Sequence, residues 1–494
     1  MLKSLWNGVN GVKTQNLGVD ITANNISNVN TIGFKRTSSE FADIFYQRVV
    51  SRSANPAEIG SGSLLSASKV VYEQGSFTDG GGEFDVGLMG KGFFGVRGFS
   101  QTYYTRNGEF TRDGNNYLVD ASGNFVLGTV NPNLVPTQFS DRVAQAMGRL
   151  NGTNDLVTSG FTVNNPNQDF TIAPSTMQTK LFVPSKNMYY FPEVTTQATF
   201  KGAISAVLNI DNDKKFSLTN LNATDGFDMA SASVATITQV GERSTYEDKA
   251  FGVRVYNLDG SVSSLKYNLH LTNTNRTKKD DFIYEVVAGV YDDNGALIGS
   301  ESRGQIVFDK FGSLKENTLT SVPNPQGGVI NINFGTPTNN PSTDRTGAGW
   351  DGVYIVPDST SDAITASGNG VAEGFFNRYQ IEQDGSIIAQ FTNGKTVTVG
   401  KLALYTFINE QGLAVVGGNN FMATSNSGAA SFLYDNEGKL VRPALFVGQK
   451  LEMSNTDLST ELTNLIVMQR GFEASSKSIT TSDSMLQTAI GLKK

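Results

Sequence analysis

The sequence predicts an α+β chain, mainly β, with a helix at each end and nested all-β domains between the helices. Three observations carry this reading. Heptad-spaced apolar seams occupy the two ends, Asn-Gly and Asp-Gly pairs recur through the middle, and two proline-bearing stretches set off a block inside that middle. Seams report helical geometry and two-residue turns report hairpins, so the signals are independent.

At the N-terminus, Leu2, Leu5, Val9, Val12, Asn16, Val19, Ala23 and Ile26 are spaced 3 and 4 residues apart in alternation. This is a heptad seam. Asn24, Asn25, Asn28, Asn30 and Gly33 then crowd the chain and end the helix, because Asn and Gly tolerate left-handed backbone. From about Val70 to Leu445 the chain reads as β. Asn107-Gly108, Asp259-Gly260, Asn294-Gly295, Asp384-Gly385 and Asn393-Gly394 mark hairpins, and alternating runs such as Ala250 to Tyr256 and Lys395 to Val399 flank several of them. Residues 185–195, beside Pro184 and including Pro192, and 322–349, with Pro323, Pro325, Pro337 and Pro341, read as linkers around the inserted block.

The C-terminal seam runs through Leu458, Leu462, Leu465, Gln469, Phe472, Ser476, Ile479, Asp483, Leu486 and Ile490. Ser454 with Asp457 reads as a capping pair before it. A helix from about Thr456 to Leu492 would be roughly 55 Å long. Both helices are weak alone. Gly8, Gly11 and Gly18 in the first, and Gly471 in the second, each cost about 1 kcal/mol relative to Ala. Their stability must come from partners, and the seams pair either with each other or with other copies of the chain.

Composition narrows the chemistry. The 494 residues allow several cores. With no cysteine and one histidine, thiolate metal sites and multi-histidine sites are excluded within one chain. A net charge of −7 argues against a duplex-binding surface. No apolar run is long enough to span a membrane. The first residues lack an unbroken apolar segment, so no cleaved signal peptide is expected. Gly394-Lys395-Thr396 lacks the earlier glycine of a phosphate loop, which is Ala389, and reads as a hairpin turn. Gly90-Lys91-Gly92 fails the same pattern at Asp85. Asp211-Asn212-Asp213 has Phe216 where a calcium loop needs glycine, and reads as a solvated turn. His270 reads as a surface or edge histidine, and Tyr189-Tyr190-Phe191 as core or interface packing. No catalytic, cofactor or metal residue is assigned, and no enzyme activity is expected.

Three blocks carry a family resemblance. The first is Ala23-Asn24-Asn25-Ile26-Ser27-Asn28, Asn30-Thr31 and Gly33-Phe34-Lys35. The second is Asp85, Gly90-Lys91-Gly92-Phe93-Phe94, Tyr104-Thr105-Arg106-Asn107-Gly108 and Asp120-Ala121-Ser122-Gly123. The third runs from Leu451-Glu452-Met453-Ser454-Asn455-Thr456-Asp457-Leu458 through Glu461-Leu462, Gln469-Arg470 and Ser476-Lys477 to Met485-Leu486. Together they resemble the bacterial flagellar rod and hook axial proteins. The length and the large insertion favour the hook branch. Gly471-Phe472 departs from the family pattern of a small residue followed by Tyr.

The resemblance implies that the terminal helices pair as a coiled coil. Residues 1–35 and 448–494 would form that inner domain, 36–75 an extended linking segment, 76–190 and 346–447 the two parts of an inner β domain, and 191–345 the outer β domain or domains. It implies a structural subunit that polymerises into a short curved tube, transmitting torque from rod to filament as a universal joint. Implied partners are further copies in a helical homopolymer, the distal rod protein, the hook–filament junction protein, the hook cap protein and the flagellar type III export apparatus. No nucleic acid, membrane insertion or cofactor is implied. The implied location is the extracellular hook of the bacterial flagellum, with terminal segments that order on assembly. Leu2, Leu5, Val9, Val12, Val19 and Ile26, and Leu458, Leu462, Leu465, Phe472, Ile479, Leu486 and Ile490, are the expected subunit-interface residues. The rival readings are a distal rod or hook-like paralogue and, more remotely, a β-rich carbohydrate-binding or glycan-active protein, which would leave both seams unexplained.

Overall fold

The computed structural model describes residues 2–50, 57–153, 155–166, 168–172, 178–206, 233–237, 246–272, 279–357, 362–434 and 440–492. The chain divides into two compact units. One comprises Met1–Met188 and Phe376–Lys494, the other Tyr189–Phe375. Secondary structure is mainly β, with three α-helices among the described residues.

The first unit holds all three helices: α1 (Leu2–Ser27), α2 (Asp141–Leu150) and α3 (Leu458–Gly491). α1 ends where the asparagines crowd. The Asn28 amide donates to both the Asn24 and Asn25 carbonyls, and Gly33 turns the chain with φ of +69°. α3 is capped by Asp457, whose side chain accepts from the Thr460 amide at 2.9 Å. Ser454 is not the cap. The helix starts later than its spacing to Asp457 requires, and its hydroxyl meets Thr456 Oγ1 instead. α2 falls in a region read as wholly β. It buries Val143, Ala144, Met147 and Gly148 along one face.

After α1 the chain doubles back as an antiparallel ribbon. Thr37–Asp43 pairs with Ser63–Val70, and Tyr46–Val50 pairs with Ala57–Gly60. The ribbon lies along α1: Asn10 Nδ2 and Thr14 Oγ1 donate to the Ser61 and Ser63 carbonyls at 3.0 and 2.8 Å. The main sheet of this unit interleaves strands from both stretches of chain, so Phe125–Val130 lies between Phe93–Arg97 and Thr396–Leu402. Its core is aromatic. Phe93, Tyr104, Tyr405, Phe407 and Phe421 are buried together, with Tyr104 and Phe407 centroids 4.8 Å apart edge to face. The Asn393-Gly394 pair is a hairpin turn, closing Ser386–Phe391 on Thr396–Leu402 with Gly394 at φ +78°.

The second unit joins two sheets through one core. Ser233–Ile237, Tyr246–Tyr256, Val262–Leu271, Phe282–Tyr291, Leu297–Phe308 and Leu314–Asn317 form a six-stranded antiparallel sheet. Gln197–Ala206 centres the other, flanked by Gly328–Asn333, Val353–Pro357 and Ala363–Gly368. Phe200, Phe251, Tyr267 and Phe334 pack between them. Residues 322–349, read from sequence as a linker, instead carry two strands. Ser321–Asn324 pairs with Gly328–Asn333 at the sheet edge, where Pro323 is tolerated because no ladder donor is needed on its outer side. Tyr189 and Tyr190 are buried, and His270 is half-buried beside the core residue Leu269. Asp211-Asn212-Asp213 lies outside the described residues.

Candidate assembly surface

α1 and α3 contact each other antiparallel, and small residues make the contact. A Cβ added at Gly8 would lie 2.7 Å from Ile479 Cγ1, at Gly11 2.6 Å from Ser475 Oγ, and at Gly18 2.9 Å from Met468 Sδ. From the other helix, a Cβ at Gly471 would lie 2.8 Å from Gln15 Cδ. Ser4 and Ser482 hydroxyls meet at 3.0 Å. Gly8, Gly18 and Thr22 on α1 and Glu461 and Ser482 on α3 are buried, while Thr14 and Asn25 are buried against the ribbon. The backbones therefore approach closely, with Ile479 and Met468 of α3 seated on Gly8 and Gly18 of α1, and Ser475 on Gly11.

The seam read from sequence sits about one residue round the helix from this contact line. Leu5, Val9, Val12, Val19 and Ile26 on α1, and Leu465, Ile479 and Leu486 on α3, are half-buried. Leu458, Leu462, Phe472 and Ile490 are exposed, Ile490 by 71%. The side chain of Leu2 lies outside the described residues. Trp6 and Leu17 on α1, and Ile466, Val467 and Met485 on α3, add further exposed apolar surface that the large-residue count did not select. Exposed apolar side chains at this density along two helices exceed the scattered singles of an ordinary surface.

The family-motif residues build a joint at the root of these helices. Asn25 clasps the backbone of Thr37, donating to its carbonyl at 2.8 Å and accepting from its amide at 2.9 Å. Asn28 Nδ2 donates to the Asn24 carbonyl, and Thr31 Oγ1 donates to Asn28 Oδ1. The Phe34 amide returns to the Thr31 carbonyl. The Gly33 amide donates to the Glu452 carbonyl at 2.7 Å, and a Cβ there would meet the Asn107 amide nitrogen at 2.5 Å.

Sequence reasoning missed the charge cluster beneath this joint. Lys35 Nζ lies 2.6 Å from Glu452 Oε1, and Arg106 Nη1 lies 3.2 Å from Glu452 Oε2, with all three side chains buried. The Gly75 amide also donates to Glu452 Oε1, Lys35 Nζ donates to the Glu73 carbonyl, and Arg106 Nη2 donates to the Gly90 carbonyl. Burial pushes the Lys35 ammonium and the Arg106 guanidinium below their ordinary values, while Glu452 opposes the shift in both. One carboxylate thus serves two buried cations. The charges were visible in the motif blocks, but their pairing spans most of the chain.

No helix among the described residues is long and apolar enough to cross a membrane. Among them, no group of three or more His, Cys, Asp or Glu is placed to hold a metal.

Comparison with known proteins follows the same three blocks. Residues 5–35 match the family described as "Flagella basal body rod protein", 87–175 match "Flagellar hook protein FlgE/F/G D1 domain", and 447–492 match "Flagellar basal body rod FlgEFG protein C-terminal". Lys35, Arg106 and Glu452 fall one in each matched stretch. Proteins named flagellar hook protein FlgE are 28% identical in Borreliella burgdorferi and 27% in Treponema pallidum, each alignment covering 100% of both chains. The Salmonella typhimurium protein of that name is 26% identical over 99% of this chain and 100% of its own. The crystal structure of Helicobacter pylori flagellar hook protein FlgE2 aligns with a TM-score of 0.44 and 15% identity, covering 75% of this chain and 98% of that one.

Proposed function

The chain belongs to the flagellar rod and hook axial protein family and is a structural subunit of the flagellar hook, and from that premise we propose how it assembles. Copies pack through the outward apolar faces of α1 and α3, and the paired terminal helices form the coiled-coil layer of the tube wall. The tube is short and curved, links rod to filament, and carries torque while bending. A contact of this kind that joins different patches of successive copies does not close on itself, and so builds a helical polymer. The distal rod, the hook–filament junction, the hook cap and the flagellar export apparatus are its partners, and the chain works without catalysis.

The observation that supports this most is a division of labour on the two helices. Glycines that receive Ile479, Met468 and Gln15 make their mutual contact, while Leu458, Leu462, Phe472 and Ile490 are exposed. Nothing within the helix pair requires those large side chains to be apolar.

The test is Leu462→Asp in the full chain. Leu462 is 44% exposed in the single chain, so the variant should fold. In the polymer the aspartate would be buried without a partner, at a cost of about 3 kcal/mol or more. The expected result is loss of sedimentable polymer with the far-UV β signal retained. Normal polymers from this variant would sink the proposal. Straight polymers from the parent chain in electron micrographs would place it with the rod branch.

A further inference from the structure

A second buried charge cluster lies wholly in the Tyr189–Phe375 unit and has no part in the assembly surface. Lys249 and Asp362 side chains are 2% and 4% exposed, with Nζ 3.4 Å from Oδ2. Ser205 bridges them. Lys249 Nζ donates to Ser205 Oγ at 2.8 Å, and Ser205 Oγ donates to Asp362 Oδ1 at 2.7 Å. The Ser205 amide also donates to Oδ1, at 2.6 Å. Lys249 lies on Tyr246–Tyr256 of the six-stranded sheet, in step with the core residues Phe251, Val253 and Val255. Ser205 and Asp362 belong to the other sheet, Ser205 on Gln197–Ala206 and Asp362 next to Ala363–Gly368.

We propose that Lys249 and Asp362 condense into an internal amide that ties the two sheets of this unit together. Lys249 Nζ passes one proton to Asp362 Oδ2, to which it donates at 3.4 Å, giving an amine and a carboxylic acid. The Nζ lone pair then attacks Asp362 Cγ, and the negative charge develops on Oδ1, where the Ser205 amide and hydroxyl both donate. The carboxyl hydroxyl takes a proton from Nζ and leaves as water, and an Nζ–Cγ amide remains. No oxidant, metal or other reactant enters. Two features favour the step. Opposed charges in a dry interior lose hydration, and a neutral amide product removes that cost. The reacting groups are also held in contact, which replaces a bimolecular encounter with an intramolecular one.

The buried Lys35–Glu452 pair differs in one respect. Arg106 also pairs with the Glu452 carboxylate, so condensation there would leave a buried guanidinium without its anion.

The test is the intact mass of the full chain, measured after denaturation, followed by tryptic mapping. The expected mass is one water below that of the sequence. The expected map contains one branched peptide joining residues 244–254 to residues 346–378, uncut after Lys249. Lys249→Met should restore the sequence mass and remove the branched peptide. A parent chain at full sequence mass overturns the proposal, and so does a water loss mapped elsewhere, such as a succinimide at an Asp-Gly pair. The parent chain alone decides the question if the variant fails to fold.

Discussion

Glu452 is the residue whose loss should be felt most. Glu452→Gln leaves the Lys35 ammonium and the Arg106 guanidinium buried with no anion, at an expected cost of roughly 3–5 kcal/mol. Urea denaturation of the first unit would read this as a lowered midpoint. Lys35→Met together with Glu452→Gln should cost less than the two changes added, because the second no longer strands the first. Asp457 offers a pH test. The Thr460 amide donating to its carboxylate holds Asp457 below the ordinary value of 3.8. A depressed value in the folded chain means the cap's contribution is complete above the unfolded value and is lost as pH falls through the folded one. Helical ellipticity should drop in that acid window, and Asp457→Ala should remove this step while lowering helicity at neutral pH. Single residues were partly legible. The motif blocks placed Lys35, Arg106 and Glu452 on the page, yet nothing local says that positions 35 and 452 touch.

At the scale of elements, the helix pair depends on its glycines. Gly11→Leu would drive a side chain into Ser475, and Gly18→Leu into Met468 and Phe41. Each should cost about 1–3 kcal/mol by overpacking, read as lost helical signal with the β cores still folded. Normal helix content in both would mean the close approach is dispensable. Both terminal helices were legible from heptad spacing. Their contact line was not fully so, because a count of large apolar residues registers Ile479 but not the Gly8, Gly11, Gly18 and Ser475 positions that let the helices close up. α2 was missed for a different reason. A helix from Asp141 to Leu150 repeats its period too few times to stand out among turn signals. Hairpins fared better, since Asn393-Gly394 and its flanking strands carry their geometry in adjacent residues.

At the scale of the whole molecule, the continuous Tyr189–Phe375 unit has its own core. Expressed alone, it should unfold in one cooperative step as a β-rich monomer, checked by thermal circular dichroism and sedimentation. A chain lacking residues 1–35 and 456–494 should likewise stay monomeric and β-rich while the full chain polymerises. The Tyr189–Phe375 unit runs on past Pro341, the last of the prolines in the sequence's second proline-bearing stretch. Gln197–Ala206 pairs in parallel with Val353–Pro357, near the other end of that unit, and such long-range pairing leaves no local mark in the sequence.

The joint at Lys35 and Glu452 also sets a clock. Its two halves are 417 residues apart, so it can form only when both ends of the chain are free at the same time. A chain that emerged from one end could not close this joint until the later of the two residues had emerged, whatever had already folded in between.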